Sequence, residues 1–444
     1  MHTSILVLGG GPAGIEAALT AASYHDRVTL VTEGTVGDWK HTTTATWLSC
    51  LSEWPRDPPP GQSALLDMIK RAERVQRRWM RASAEQLAAA NVTVITGRAF
   101  FTSPCSVHVQ QHQAAGGIDI QADRIIIAVG SRPVFPERLR PDGSTVFSFH
   151  TLDQMNTLPE TILVIGEGPI GFEAVHLFSR LGSKVRWLVQ PEGPKCWFDP
   201  AIDRYLVELY RSNGVTIHPG VWSDMDRTKN SVIVSGGGAE YKAALAFVTA
   251  GFTSNVDQLN LGTAGLTFNC YGSLDGNAFG QTTAEHIYVA GDAQRSMAGV
   301  YATGCARVAA LHAVGRTPDP LDMSCLPVTF HDSPQVGTVG IVDAAAAPGI
   351  HCIVREFSQR NFKAEVREDS SGFVKIVWND EGVIIGGTVV GAQAKELITT
   401  LAIMVKMKSR LVDFDSFPAA HPSMNETLLH AIHYASDLYT NRGV

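Results

Sequence analysis

Three groups of residues in this chain have types and spacings suited to chemistry. Two are glycine turns. Gly9-Gly10-Gly11-Pro12-Ala13-Gly14 follows the apolar run Ser4-Ile5-Leu6-Val7-Leu8, and Gly166-Glu167-Gly168-Pro169-Ile170-Gly171 follows Thr161-Ile162-Leu163-Val164-Ile165. A glycine turn between a buried strand and a helix lets backbone amides approach a pyrophosphate, and the helix N-terminus favours its charge. Gly9 suits the tight turn, Gly11 the close approach and Gly14 the packing of helix on strand, with Pro12 and Ala13 opening the helix. Gly166, Gly168, Ile170 and Gly171 repeat the pattern, and Glu173 follows on the helix. The third group is His421 and Glu426, five positions apart. A carboxylate paired to one imidazole nitrogen fixes the tautomer and raises the pKa, leaving the other nitrogen to exchange protons. On spacing alone the same two residues would be an ordinary surface pair.

The elements that must position these groups are legible around them. After the first turn, helical sequence runs from Ile15 to Ser23 and a strand from Arg27 to Thr32 ends beside Glu33, an acid suited to an adenosine ribose hydroxyl. After the second, a helix runs to Leu181 and a strand from Lys184 to Gln190. The acid expected there is missing: Val189 and Gln190 stand in its place, with Arg186 and Lys195 nearby. That absence leans toward NADPH, whose 2′-phosphate needs a cation. From Gly9 to Gly166 is 157 positions, and two such units imply two dinucleotides. The alternatives are a glycine-rich turn that holds no nucleotide and a second unit that no longer binds nicotinamide.

The chain has 444 residues, enough for two to three domains, with 45% apolar and 18% charged composition as in a globular enzyme. A net charge of −7 argues against a nucleic-acid or polybasic membrane surface. No apolar run reaches the length of a membrane helix, and the N-terminus opens on a strand rather than a signal pattern, so a cytoplasmic protein is expected. The seven cysteines, Cys50, Cys105, Cys196, Cys270, Cys305, Cys325 and Cys352, are scattered, which suggests neither a zinc site nor a disulfide framework.

On these residues the sequence resembles the pyridine nucleotide-disulfide oxidoreductases, and within them the class of dihydrolipoamide dehydrogenase, glutathione reductase and soluble transhydrogenase. The resemblance runs from about residue 4 to the C-terminus. Arg124 to Pro133, with Gly130, resembles the strand and turn that close the first half of the FAD domain, and Glu285 to Ala293 resembles the second FAD fingerprint. There Asp292, followed by Ala293, inherits the bond to the flavin's ribityl chain; a plain helix cap is its structural alternative. Ala250 to Asn255 ends the nicotinamide domain, with Phe252 and Ser254 where relatives carry Arg and Pro. Leu326 to Gly337 resembles the entry into the dimer-interface domain, and Ala419 to Glu426 the catalytic signature whose His–Glu dyad falls on His421 and Glu426.

The resemblance implies an α/β chain with two Rossmann-like domains, for FAD and NAD(P), and a C-terminal α+β dimerisation domain. The expected segments are 1–150 and 276–325 for FAD, 151–275 for NAD(P) and 326–444 for a homodimer interface that lends residues to the partner's site.

One family feature is missing. An ungapped alignment puts Lys40 and Ala45 where the two redox cysteines belong, and the family's lysine is also gone. Thr42, Thr43, Thr44 and Thr46 offer hydroxyls there, and Trp39 and Trp47 aromatic walls, so a small molecule in that space would exchange hydride with flavin directly. The alternative is a filled, inert face in an enzyme that works on the nicotinamide side only. Thr46 to Cys50 resembles the Ser-Phe-Leu-Ser-Cys segment of single-cysteine peroxidases, though its spacing from Glu33 is too long; a redox-active Cys50 and a buried helix cysteine both remain open. Pro55 to Pro60 reads as a loop, covering a substrate mouth or simply connecting, before a helical stretch from Ser63 to Ala90.

The resulting expectation is an FAD-dependent NAD(P)H oxidoreductase acting on a non-disulfide small molecule: a quinone, an activated alkene or imine, or a second nicotinamide. Its rivals are peroxide or disulfide reduction through Cys50 and a non-catalytic flavoprotein subunit.

Overall fold

The structure is a computed structural model. It describes residues 1–38, 43–52, 60–111, 116–228, 231–236, 238–249, 251–294, 299–343, 347–359 and 361–441, with side chains left aside at 43–45, 51–52, 223 and 331–332. These residues form two compact units: Met1–Lys40, Lys70–Phe135 and Ala250–Leu321 in the first, and His41–Ile69, Pro136–Thr249 and Asp322–Val444 in the second.

In the first unit the opening strand His2–Leu8 lies between two parallel neighbours, Val28–Thr32 and Gly117–Ile127. Leu6 pairs with Thr29 on one side and with Ile125 on the other. A strand buried on both faces reads as a continuous apolar run rather than an alternation, which is why Ile5 to Leu8 could be recognised. Thr93–Thr96 extends the parallel sheet beyond Val28–Thr32. The long strand Gly117–Ile127 serves two partners: its first half pairs antiparallel with Ser106–Gln110, and its second half parallel with Ile287–Val289. That last pairing returns the chain to the sheet after the long excursion through the second unit.

The second unit repeats the plan with a five-stranded parallel sheet in the order Thr216–Pro219, Lys184–Val189, Thr161–Ile165, Leu245–Val248, Val146–Phe147. A three-stranded antiparallel sheet, Trp222–Thr228, Ser231–Gly236 and Ala239–Ala243, belongs to the same unit. Its C-terminal portion is a five-stranded antiparallel sheet, Val328–Asp332, Gln335–Gly340, Ile384–Gly391, Gly372–Asn379, Ile350–Glu356. Helices Ala394–Lys406 and Asn425–Asn441 pack a core of Val374, Ile376, Val389, Leu401 and Leu428 against that sheet. The α/β architecture with a C-terminal α+β portion is therefore as expected.

One buried charge group ties this sheet to the start of helix Pro200–Ser212. Asp199 caps helix Pro200–Ser212 by accepting from the Ala201 N–H at 2.9 Å. Its carboxylate also pairs with Lys375 Nζ at 3.1 Å and accepts from Thr388 Oγ1 at 2.6 Å, all three side chains being buried. A buried carboxylate is tolerated when paired and hydrogen-bonded in this way.

No described helix is long and apolar enough to cross a membrane. Among the described residues, no three His, Cys, Asp or Glu side chains gather as a metal site.

Candidate active site

In the first unit, helix Pro12–Ala22 starts directly from Gly11, with Pro12 in its first turn and no side-chain cap. Its first amides are left for another acceptor, which suits an anion. Gly14 is required by close approach: a Cβ there would collide with the Gly9 carbonyl, whose carbon would lie 2.8 Å away. At Gly11 the reverse holds, since a Cβ would meet nothing within 4 Å. That open face, beside a strand that ends at Thr32 just before exposed Glu33, has the form of a dinucleotide cradle. Asp292 lies in the short helical turn Gly291–Ala293, in the same unit, and accepts from Ser131 Oγ at 2.7 Å. Ser131 directly follows Gly130 and orients the carboxylate; neither its type nor its spacing marked it in the sequence.

In the second unit, helix Gly168–Leu181 follows Glu167, again without a side-chain cap and with proline in its first turn. Gly171 approaches the Gly166 carbonyl oxygen so closely that a Cβ would lie 2.9 Å from it. Ile170 is half-buried, and Glu173 is buried on the helix near Tyr210, whose phenol is pushed well up by burial and by that carboxylate. The surface of this turn differs from the first. A Cβ on Gly168 would collide with the Trp197 ring, with Cη2 at 2.8 Å and Cε3 at 3.1 Å. The Gly168 N–H donates to the Lys195 carbonyl at 2.9 Å, and the Lys195 N–H donates to Glu167 Oε2 at 3.2 Å. Burial raises the Glu167 carboxyl above its ordinary range, opposed by the Lys195 backbone and charge. Arg186 donates to the Lys242 carbonyl at 3.2 Å, so that cation is already engaged, whereas the Lys195 side chain is exposed.

His421 and Glu426 are brought together. His421 Nδ1 lies 3.3 Å from Glu426 Oε1, the imidazole 65% exposed and the carboxylate 11%. Glu426 sits in the first turn of helix Asn425–Asn441, where the helix field favours an anion, and Oε1 also accepts from the Ser423 N–H at 2.8 Å. The carboxylate is thus fixed from two sides while the imidazole reaches solvent, the arrangement of an oriented proton carrier. The turn between them is held from a distant segment. Buried Asn361 donates to Thr427 Oγ1 at 2.7 Å and to the Ser423 carbonyl at 3.3 Å, and Phe362 lies 5.4 Å from the His421 ring. Sixty positions of chain separate Asn361 from His421, so no local pattern could have found it.

Trp39, Lys40, His41 and Thr42 lie outside the described residues, as do Pro55 to Pro59 and the side chains of Thr43, Thr44 and Ala45. On helix Thr43–Ser52, Trp47 is buried and Cys50 is only 4% exposed. Cys305 accepts from the Gly291 N–H at 3.0 Å, and its thiol is pushed up to about 11 by burial.

A family model described as pyridine nucleotide-disulphide oxidoreductase matches residues 3–309, and a second, that family's dimerisation domain, matches residues 326–432. The dihydrolipoyl dehydrogenase of Bacillus subtilis is 28% identical, over 97% of this chain and 98% of the relative. An NAD(P)H dehydrogenase (quinone) of Mycobacterium tuberculosis is 29% identical, over 97% of this chain and 93% of the relative. The crystal structure of LpdA from Mycobacterium tuberculosis superposes with a TM-score of 0.89 at 25% identity, covering 97% of this chain and 99% of that one. The HOCl-induced flavoprotein disulfide reductase RclA of Escherichia coli shares the fold, with a TM-score of 0.86 at 21% identity, covering 97% and 99%.

Proposed function

This chain belongs to the pyridine nucleotide-disulphide oxidoreductase family, and we propose that it transfers hydride between NAD(P)H and a non-disulfide small molecule through FAD. As a flavin-dependent pyridine nucleotide oxidoreductase it would use residues 1–150 and 276–325 for FAD and 151–275 for NAD(P), with 326–444 forming the homodimer that the dimerisation-domain match supports. Bound, the flavin supplies reversible two-electron chemistry and the nicotinamide supplies the hydride.

The observation that carries this reading is the dyad, held with its imidazole exposed in a chain whose nearest two cysteines, Cys305 and Cys325, are twenty positions apart. Gly9, Gly11, Pro12, Ala13 and Gly14 would receive the FAD pyrophosphate, Glu33 its adenosine ribose, and Gly130 with Asp292 and Ala293 the ribityl chain, Ser131 aiming the carboxylate. Gly166, Gly168, Ile170, Gly171 and Glu173 would form the nicotinamide-nucleotide turn. His421 would give or take a proton at Nε2 on the partner subunit's substrate, with Glu426 fixing its tautomer through Nδ1. The segment that aligns with the family's cysteine pair holds Lys40 and Ala45, so electrons would leave the flavin for an external acceptor. A quinone is the acceptor class that the name of the Mycobacterium relative supports. Reaction of Cys50 with peroxide is disfavoured by its burial, since such chemistry needs an accessible thiolate.

The test is an anaerobic titration of the purified flavoprotein with NADH and with NADPH, followed by visible spectroscopy. Complete bleaching at two electrons per flavin, without a long-wavelength thiolate–flavin band, is the expected result. Uptake of further electrons would mean that a thiol takes part and would end the reading.

A further inference from the structure

Trp197 combines three properties that rarely coincide. It is 67% exposed, its backbone φ is +65°, and its ring lies on Gly168. A bulky residue in the left-handed region is strained, and such strain persists where the surroundings impose it. The surroundings here are the anchors on either side. Buried Cys196 donates its N–H to Asp203 Oδ1 at 2.7 Å, and Asp199 is held in its ion pair with Lys375. Lys195, one residue before Cys196, is clasped to the turn by its two backbone bonds with Gly168 and Glu167. With the backbone pinned at residues 195, 196 and 199, the part free to move is the indole, which faces solvent.

The place it occupies matters because a dinucleotide turn keeps its second glycine bare so that phosphate can come close to the backbone. Here that face is covered by an indole, the amide of Gly168 is spent on a carbonyl, and the Glu167 carboxyl stands beside it. We infer that the Trp197 side chain is a displaceable cover on the nicotinamide-nucleotide turn and sets the affinity for that nucleotide: the ring must swing off Gly168 before the pyrophosphate can approach. This rests on the reading of the second glycine turn as the nicotinamide-nucleotide site. Apparent affinity falls by the fraction of molecules in the competent state, so a closed cover weakens binding without touching the bound ligand.

The experiment compares the flavin-loaded wild type with Trp197→Gly, which removes the ring and suits a φ of +65°, and with Trp197→Ala. Dissociation constants for NAD⁺ and NADP⁺ are measured by titration calorimetry, with indole fluorescence of all three proteins as a second signal. The expected result is that both variants bind the preferred nucleotide about tenfold more tightly, as removal of a cover closed about nine times in ten requires. Because seven other tryptophans contribute in all three proteins, displacement of the ring is read as a fluorescence change on binding that wild type shows and both variants lack. Equal or weaker binding by both variants overturns the inference, because the ring would then be inert or a stacking partner. Reduction of wild-type flavin by NADH or NADPH would leave the functional reading standing in that case. If neither nucleotide binds any of the three proteins and neither reduces the flavin, the nucleotide reading itself fails and takes the cover with it.

Discussion

The turn at residues 9–14 and the turn at 166–171 share a buried strand, an uncapped helix start and a glycine packed on a carbonyl, yet they present different surfaces. A side chain added at Gly11 would meet nothing within 4 Å, whereas one added at Gly168 would strike the Trp197 ring. The lesson is that a fingerprint specifies the backbone of a nucleotide site and not its accessibility. The first turn has the form of a standing cradle, suited to a cofactor that stays. The second carries an indole over its glycine, and on the proposed reading it would open for a nucleotide that comes and goes each turnover. The difference comes from one residue 29 positions beyond Gly168, placed by anchors on both sides of it.

The largest expected effect breaks the first turn. In Gly14→Ala the new methyl collides with the Gly9 carbonyl, so the helix must leave the strand. The variant should lose its flavin, read as absorbance per polypeptide; full retention would mean the turn is not the FAD cradle. Gly171→Ala, with 2.9 Å to the Gly166 oxygen, should be milder, an overpacking cost of about 1–3 kcal/mol seen in nicotinamide-nucleotide affinity with flavin retained.

Next in size, His421→Gln should lower turnover about 10²–10⁴-fold with any acceptor that needs a proton, while flavin content and nucleotide affinity stay at wild-type values. A parallel loss of nucleotide affinity would show that the dyad supports structure rather than proton transfer. Glu426→Gln should fall between the two in turnover.

Lys375→Met strands the buried Asp199 carboxylate and should cost about 3–5 kcal/mol, read from chemical denaturation. Adding Asp199→Asn should recover much of it. A Lys375→Met protein as stable as wild type would remove the anchor on which the Trp197 cover depends.

Smaller still is a pH effect at Glu167. Its carboxyl is raised by burial, so the folded chain holds that proton more tightly than the unfolded chain does. Stability from the protonated form is present below the unfolded pKa and is lost as pH rises through the raised folded value. Over the same interval a negative charge develops beside the turn, so nicotinamide-nucleotide affinity should weaken by a few-fold in wild type and stay flat in Glu167→Gln. A pH dependence that survives in the variant would assign the titration to another group. Cys50→Ser should change nothing measurable in turnover; lost activity would restore the thiol reading.

Much of the fold was legible because its signals are local. The runs at Ile5 to Leu8 and Ile162 to Ile165 are buried on both faces and therefore unbroken, and each is followed by glycines whose spacing a helix start requires. Helices such as Ala394–Lys406 carry their own apolar stripe. The dyad was legible because Ala419 to Glu426 resembles a family signature; the spacing of His421 and Glu426 alone reads as an ordinary surface pair.

By itself, then, the sequence determined the α/β plan, the two glycine turns and the pairing of a His with a Glu five positions on, since each is read from residues within a few positions of one another. Only the tertiary structure decided that Asn361 holds the dyad's turn, that Ser131 aims Asp292, that Asp199 is neutralised by Lys375, and that Trp197 lies on Gly168. Each of these joins segments tens to hundreds of positions apart in the chain. Contacts of that range depend on how strands order within sheets and helices pack on them, and no short pattern of residue types encodes that arrangement.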